Sequence, residues 1–199
     1  YFVLDSCAEI TLECNPRTHL DDGIEYFSTL RSMGVNRLSL GVQSAIDGEL
    51  KLIGRGHTFA EAKKTFEDAR RSGFENISID LMFGIPSQTL ESLEYSINEF
   101  VSLGAEHISI YSLQLEEGTP LHRMQDKYDL ADDDSVADMF TLVNDLMRNA
   151  GYNHYEISNF SREGYESRHN MKYWLDEEYL GFGPAAYSYF GGERFHYKR

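Results

Sequence analysis

Four polar residues stand where short apolar runs of the chain give out, and a fifth sits between glycines. The run at about Glu9–Leu12 reaches Glu13 and then Asn15-Pro16, and the run Asn36–Val42 reaches Gln43. Asp80 lies inside Ile77-Ser78-Ile79-Asp80-Leu81-Met82-Phe83-Gly84, and the run from His107 passes Tyr111 and Leu113 to Gln114. In parallel α/β folds ligands bind beyond the carboxyl ends of the strands, so these four side chains share one rim. A carboxylate within an apolar strand must be paired, hydrogen-bonded or functional, and Asp80 meets that demand as a cap on a loop as well as in a ligand site. Gln43 and Gln114 read equally as strand-end amides, and Glu13 as a solvent-facing acid. Arg55 stands in Ile53-Gly54-Arg55-Gly56-His57. Flanking glycines let the backbone approach a ligand, and a guanidinium clamps a carboxylate bidentately; a surface Arg in a loop satisfies the same pattern. On residue types and spacing alone this is a ligand-binding α/β domain without a specified reaction.

The elements that hold this rim follow one repeated pattern. A helical segment ends in Gly, one or two residues follow, and a short apolar run begins: at Gly34-Val35, Gly73-Phe74, Gly104-Ala105 and Gly151-Tyr152. Gly just past the last turn supplies the left-handed cap, and Ile/Leu/Val-rich runs read as buried strands. Helices are expected over Asp21–Met33 with Ile24, Phe27 and Leu30 on one face, from the capping box Thr58-Phe59-Ala60-Glu61 to about Ser72, over Thr89–Leu103 and over Ser135–Ala150. Strands alternating with helices predict βαβ units and a parallel sheet. Glu116–Asp134 reads as polar loop and 151–199 as irregular.

Composition narrows the partners. The 199 residues carry a formal net charge of −15, which argues against nucleic acid, because polyphosphate binding needs a basic face. Cations gather late in the chain, at Arg162, Arg168, Lys172, Arg194, Lys198 and Arg199, so an anionic ligand is expected there if anywhere. No apolar run approaches the length of a transmembrane span, and no signal-peptide pattern opens the sequence. Two cysteines, Cys7 and Cys14, are too few for a disulfide scaffold and point to a reducing, cytoplasmic setting; neither has the spacing of a zinc or iron–sulfur site.

Taken in order, Glu9-Ile10-Thr11-Leu12-Glu13-Cys14-Asn15-Pro16, Asn36 through Ser44, Ile53 through His57 and Ile79 through Pro86 resemble the radical S-adenosylmethionine (SAM) core of oxygen-independent coproporphyrinogen III oxidases and their relatives. Tyr155-Glu156-Ile157-Ser158-Asn159-Phe160 and His169-Asn170-Met171-Lys172-Tyr173-Trp174 look like the heme-chaperone branch, the HemW type, whose HNxxYW motif is associated with heme. The resemblance implies a partial (β/α)6 radical SAM barrel, truncated at its N-terminal strands, over residues 1–150. The last barrel elements and the start of a C-terminal α+β region follow over 151–199. It implies SAM contacts at Gln43, Arg55 and Asp80, with Arg55 on the SAM carboxylate and the other two on groups such as the ribose hydroxyls. Glu13 and Gln114 match further positions lining that pocket, and His169 matches a heme contact. The family's CxxxCxxC loop, which holds a 4Fe–4S cluster, is not in this sequence, and Cys7 and Cys14 do not match it.

Two activities follow from the resemblance. One is a heme carrier with SAM and cluster in support, a heme-accepting protein and an electron donor as partners. The alternative is an oxidase decarboxylating coproporphyrinogen III. The present chain alone is expected to be inactive. The family usually carries His where Tyr187 stands in Gly181-Phe182-Gly183-Pro184-Ala185-Ala186-Tyr187-Ser188.

Overall fold

The computed structural model describes residues 3–17 and 21–196; the expected cations Lys198 and Arg199 lie outside them. Two compact units form, Tyr1–Tyr165 and Glu166–Arg199. In the first, β1 (Thr11–Cys14), β2 (Arg37–Gln43), β3 (Ile77–Phe83) and β4 (His107–Ser112) run parallel and in sequence order. A hairpin of β5 (Asn153–Glu156) and β6 (Asn159–Ser161) completes the sheet, with β6 antiparallel to β4, so the order is β1-β2-β3-β4-β6-β5. This hairpin carries the large unit through Tyr165.

The crossovers are α1 (Gly23–Ser32), α2 (Asp47–Leu52) with α3 (Phe59–Arg71), and α4 (Leu90–Leu103). Right-handed crossovers between strands laid down in one direction put every helix on the same face of the sheet. The strands obey this with a period of two. Leu38, Leu40, Ile77, Ile79, Leu81, Ile108 and Ile110 join one buried core with Phe27 of α1, Phe66 of α3, Phe100 of α4 and Val143 of α6 (Asp133–Asn149). Ile24, expected on the packing face of α1, is exposed, and Phe27 anchors that helix instead.

Local chemistry sets the helix starts. Thr58 Oγ1 accepts from Glu61 N while the Glu61 carboxylate accepts from Thr58 N at 2.7 Å, the capping box expected for α3. Thr89 and Ser92 make the same exchange at α4, which ends on left-handed Gly104. Asp132 caps α6 by accepting from Ser135 N at 2.8 Å. Within the polar stretch 116–134 a short helix, α5 (Pro120–Arg123), starts behind the N-cap Thr119, with Pro120 at a position where a missing N–H costs nothing.

The second unit corrects the expectation of irregular structure. It contains α7 (Arg168–Trp174) and a hairpin of β7 (Tyr187–Phe190) and β8 (Glu193–His196). These elements are four to seven residues long and rich in Tyr, Phe, His and charge, so no hydrophobic period announces them.

The sheet face turned away from the helices is polar and buried. Ser78 Oγ lies 2.8 Å from His107 Nδ1, and His107 Nε2 lies 2.8 Å from the Tyr155 hydroxyl, stitching β3, β4 and β5. Burial, seconded by the Arg37 charge, drives the His107 pKa down to about 3, so the ring is neutral. An unfolded histidine takes a proton near 6.5. The unfolded chain therefore binds one more proton than the native one below that pH, and stability falls as pH drops from about 6.5 toward 3. Urea unfolding at pH 7, 6 and 5 should show this loss, and His107→Gln should flatten it by up to about 1.4 kcal/mol per pH unit. An unchanged slope in the variant would clear His107 as the cause.

Candidate functional site

At the carboxyl ends of β1 to β4 the polar face opens into a cluster. The pairing of β2 with β3 shifts between Leu40 and Gln43, and Gln43 leaves the strand with φ of 78°. Its side chain is buried, and its Oε1 accepts a 2.8 Å hydrogen bond from the Tyr111 hydroxyl on β4. Arg55, in the loop between α2 and α3, donates from Nη1 to Asn15 Oδ1 at 2.8 Å and makes no ion pair among the described residues. Gly41 is what lets these side chains converge. A Cβ there would lie 3.1 Å from Gln43 Nε2, 3.2 Å from Asn15 Oδ1 and 3.9 Å from Arg55 Nη1.

Asp80 sits deeper on the same face. Ser39 Oγ donates to its Oδ1 at 3.2 Å, and Ser109 adds a second hydroxyl. Burial raises its pKa to about 6, with the Glu13 charge pushing the same way and the two serines and Arg37 opposing. Tyr111 is likewise pushed up, by burial and then by the Asp80 charge, so it stays a phenol donor. Glu13 is exposed on β1 but close enough to act on both groups electrostatically. Gln114 is exposed beyond β4 and bonds Ser112 Oγ at 3.0 Å; no hydrogen bond joins it to the cluster among the described residues. On its other side Tyr111 lines a cleft of about 350 Å³ with Phe83, Ile110, Val136, Phe140 and Ile157.

The structure thus brings the strand-end residues Gln43, Asp80 and Glu13 together with Arg55 of the glycine-flanked loop, and it adds Asn15, Ser39, Ser109 and His57. Two of these were legible: Ser39 alternates with Gly41 along β2, and Ser109 with Tyr111 along β4. His57 was not. It is buried and donates from Nε2 to the Val42 carbonyl at 3.1 Å, which fastens the Arg55 loop to the end of β2.

His169 lies in the second unit, on α7 behind the N-cap Ser167, and is exposed. The i,i+4 spacing brings Tyr173 beside it, with the hydroxyl 3.0 Å from His169 Nε2 and the rings edge-on at 5.1 Å. Tyr179 meets Tyr173 at 4.7 Å. A cavity of about 270 Å³ adjoins them, lined also by Lys172, Tyr189 and Arg194. Lys172 is paired with Glu177 at 3.2 Å. Tyr187, at the start of β7, is exposed beneath the Arg194 guanidinium at 5.5 Å.

No cluster of three or more His, Cys, Asp or Glu side chains suited to a metal occurs among the described residues. Cys7 is exposed, and burial pushes the Cys14 thiol up to about 11, far from the thiolate an iron–sulfur cluster needs. These residues do not fit a 4Fe–4S cluster, and no step is derived through one.

Comparison with known proteins gives a consistent set. The profile of the Radical SAM superfamily matches residues 5–100. The chain is 46% identical over 189 residues to the heme chaperone HemW of Bacillus subtilis, which covers 94% of this chain and 49% of that protein. It is 38% identical over 189 residues to the mouse protein radical S-adenosyl methionine domain-containing protein 1, mitochondrial, covering 94% and 42%. The solved structure of coproporphyrinogen III oxidase (HemN) from Escherichia coli, a radical SAM enzyme, superposes with a TM-score of 0.75 at 24% identity, covering 91% of this chain and 44% of that one. That likeness is one of fold. The chain spans about half the length of the curated relatives it matches.

The raised pKa of Asp80 has a sign that experiment can check. The native state holds its proton to about pH 6, the unfolded chain only to about 4, so ionised Asp80 costs native stability above that window. Asp80→Asn should stabilise the protein by about 1–2 kcal/mol at pH 8, after discounting for partial exposure, and by nothing near pH 4. Denaturation at the two pH values measures it. A destabilised variant at pH 8 would mean that Arg37 and the serines outweigh burial.

Proposed function

This chain belongs to the radical SAM superfamily and groups with proteins named heme chaperone HemW, and from that premise we propose that it is part of a heme chaperone that binds SAM at the strand ends and heme through the second unit. The SAM half rests on the donor set. Arg55, a cation with no carboxylate partner among the described residues, suits the SAM carboxylate, and Asp80 and Gln43 suit the ribose hydroxyls. Gly41 leaves the room that a Cβ would fill. Glu13 lines the same pocket and Gln114 borders it. The residues of this chain contribute binding and orientation of SAM. Asp80 accepts from a hydroxyl more strongly as a carboxylate than as an acid, so SAM affinity is expected to rise as pH passes about 6.

One observation carries the heme half: identity of 37–46% to HemW relatives running over nearly the whole chain. The His169 pair fits that cargo chemically. Imidazole is a good iron ligand, Tyr173 and Trp174 offer exposed rings to a porphyrin face, and Arg194 stands near enough to meet a propionate. Slight desolvation and then the neighbouring Tyr179 raise the Tyr173 pKa, so it stays a phenol and leaves the histidine as the ligand of choice. A heme-accepting protein and an electron donor are the implied partners, and the cytoplasm the setting. Among the described residues no helix is long and apolar enough to cross a membrane. The oxidase reading has only the likeness of fold to HemN in its support.

Heme titration of the protein at its natural length, followed by Soret absorbance, tests the carrier reading. Saturable binding is expected, with affinity at least about tenfold lower in His169→Ala, the loss of one ligand bond. Absent binding, or binding indifferent to the substitution, would remove the chaperone reading and return coproporphyrinogen III turnover to first place.

A further inference from the structure

Five non-glycine residues among those described have left-handed backbones, and Gln43 is the one that lies in a strand of the sheet. Such a conformation is unfavourable for a side-chain-bearing residue and persists only where its surroundings enforce it. Both neighbours of Gln43 are fastened. On one side the Val42 carbonyl accepts from buried His57. On the other, Ser44 is fully buried and donates its hydroxyl to Glu49 Oε2 at 2.5 Å while accepting from Ile46 N at 3.0 Å.

Glu49 does more than hold Ser44. It is a carboxylate only 9% exposed, on α2, with no cation paired to it among the described residues. Its partners are three neutral donors from three segments. Besides Ser44 they are the Ser92 hydroxyl in the first turn of α4, 2.9 Å from Oε1, and Gln88 Nε2, 3.1 Å from Oε2. Gln88 in turn accepts from Gly84 N at 2.8 Å through its own Oε1. One buried acid thus ties the end of β2, the turn that follows β3, and the start of α4. Burying a carboxylate is costly unless its lone pairs are filled, and filling them here fixes the two segments that flank Gln43 and Asp80. An amide would present two N–H groups to partners that are themselves donors.

We propose that Glu49 is a positioning residue for SAM, acting through Ser44 on Gln43 and through Gln88 on the turn after the Asp80 strand. This rests on the reading of the strand-end cluster as a SAM site.

Equilibrium dialysis of SAM against the protein at its natural length tests it in a double-mutant cycle. Glu49→Gln is expected to weaken SAM binding about tenfold in the wild-type background, and by only about threefold, the share that runs through Gln88, once Gln43→Ala has removed the group positioned through Ser44. Ser44→Ala, which cuts the link and leaves Glu49 its other partners, is expected to weaken binding about threefold and covers the case in which Glu49→Gln fails to fold. Loss of affinity that is equal in both backgrounds, or no loss in Glu49→Gln and Ser44→Ala, overturns the proposal. If Gln43→Ala itself leaves SAM affinity unchanged, the SAM assignment of the cluster is what fails, and the proposal falls with it.

Discussion

Everything in the large unit follows from the helices lying on one face of the sheet. The handedness of the crossovers puts them there, and the apolar side chains of β2, β3 and β4 go with them. The opposite face is left with Arg37, Ser78, Asp80 and His107, buried or nearly so, and with hydroxyls as the main partners: Ser78 and Tyr155 for His107, Ser39 and Ser109 for Asp80. One cause then produces two opposite shifts. Burial disfavours charge, so the carboxyl of Asp80 rises to about 6 and the imidazole of His107 falls to about 3. The buried Nε of Arg37 has no hydrogen-bond partner among the described residues. A face arranged this way is unstable as a packing surface and useful as a binding surface.

The rim of that face is where polar groups meet with room between them. Tyr111 reaches across from β4 to fix the Gln43 amide, Asn15 steadies Arg55 from the end of β1, and Gly41 withdraws its side chain from the middle. Rigid strands hold some of these groups, and loops fastened to the strands by His57 and Glu49 hold the rest. The second unit works by different means. Its His169–Tyr173 pair is set by a single helical turn, and its aromatic rings stand open rather than enclosed.

Much of this was legible in the sequence, and the failures have physical reasons. Gly-terminated helices followed by Ile/Leu/Val runs gave β2, β3 and β4 without ambiguity, and Thr58 with Glu61 marked the start of α3. Flanking glycines singled out Arg55, and carboxyl-end logic singled out Gln43, Asp80 and Glu13 because strand ends are readable from hydrophobicity. It stopped short at Gln114, where the chain beyond β4 turns its side chain outward. Glu49 was invisible, since a buried acid on a six-residue helix reads as a solvated surface charge. The bulge that turns Gln43 left-handed leaves no mark in residue type either. The run after Gly151-Tyr152 marked β5, whereas β6 and the hairpin of 187–196 are polar or aromatic on both faces, so no local period predicts them.

The central claim is the proposal that SAM is held at the carboxyl ends of β2 and β3. Amide hydrogen exchange of the protein at its natural length, with and without saturating SAM, tests this most directly. Exchange should slow at 41–44, 55–57 and 79–84. Slowing confined to 166–199, or absent from the strand ends, would contradict the account.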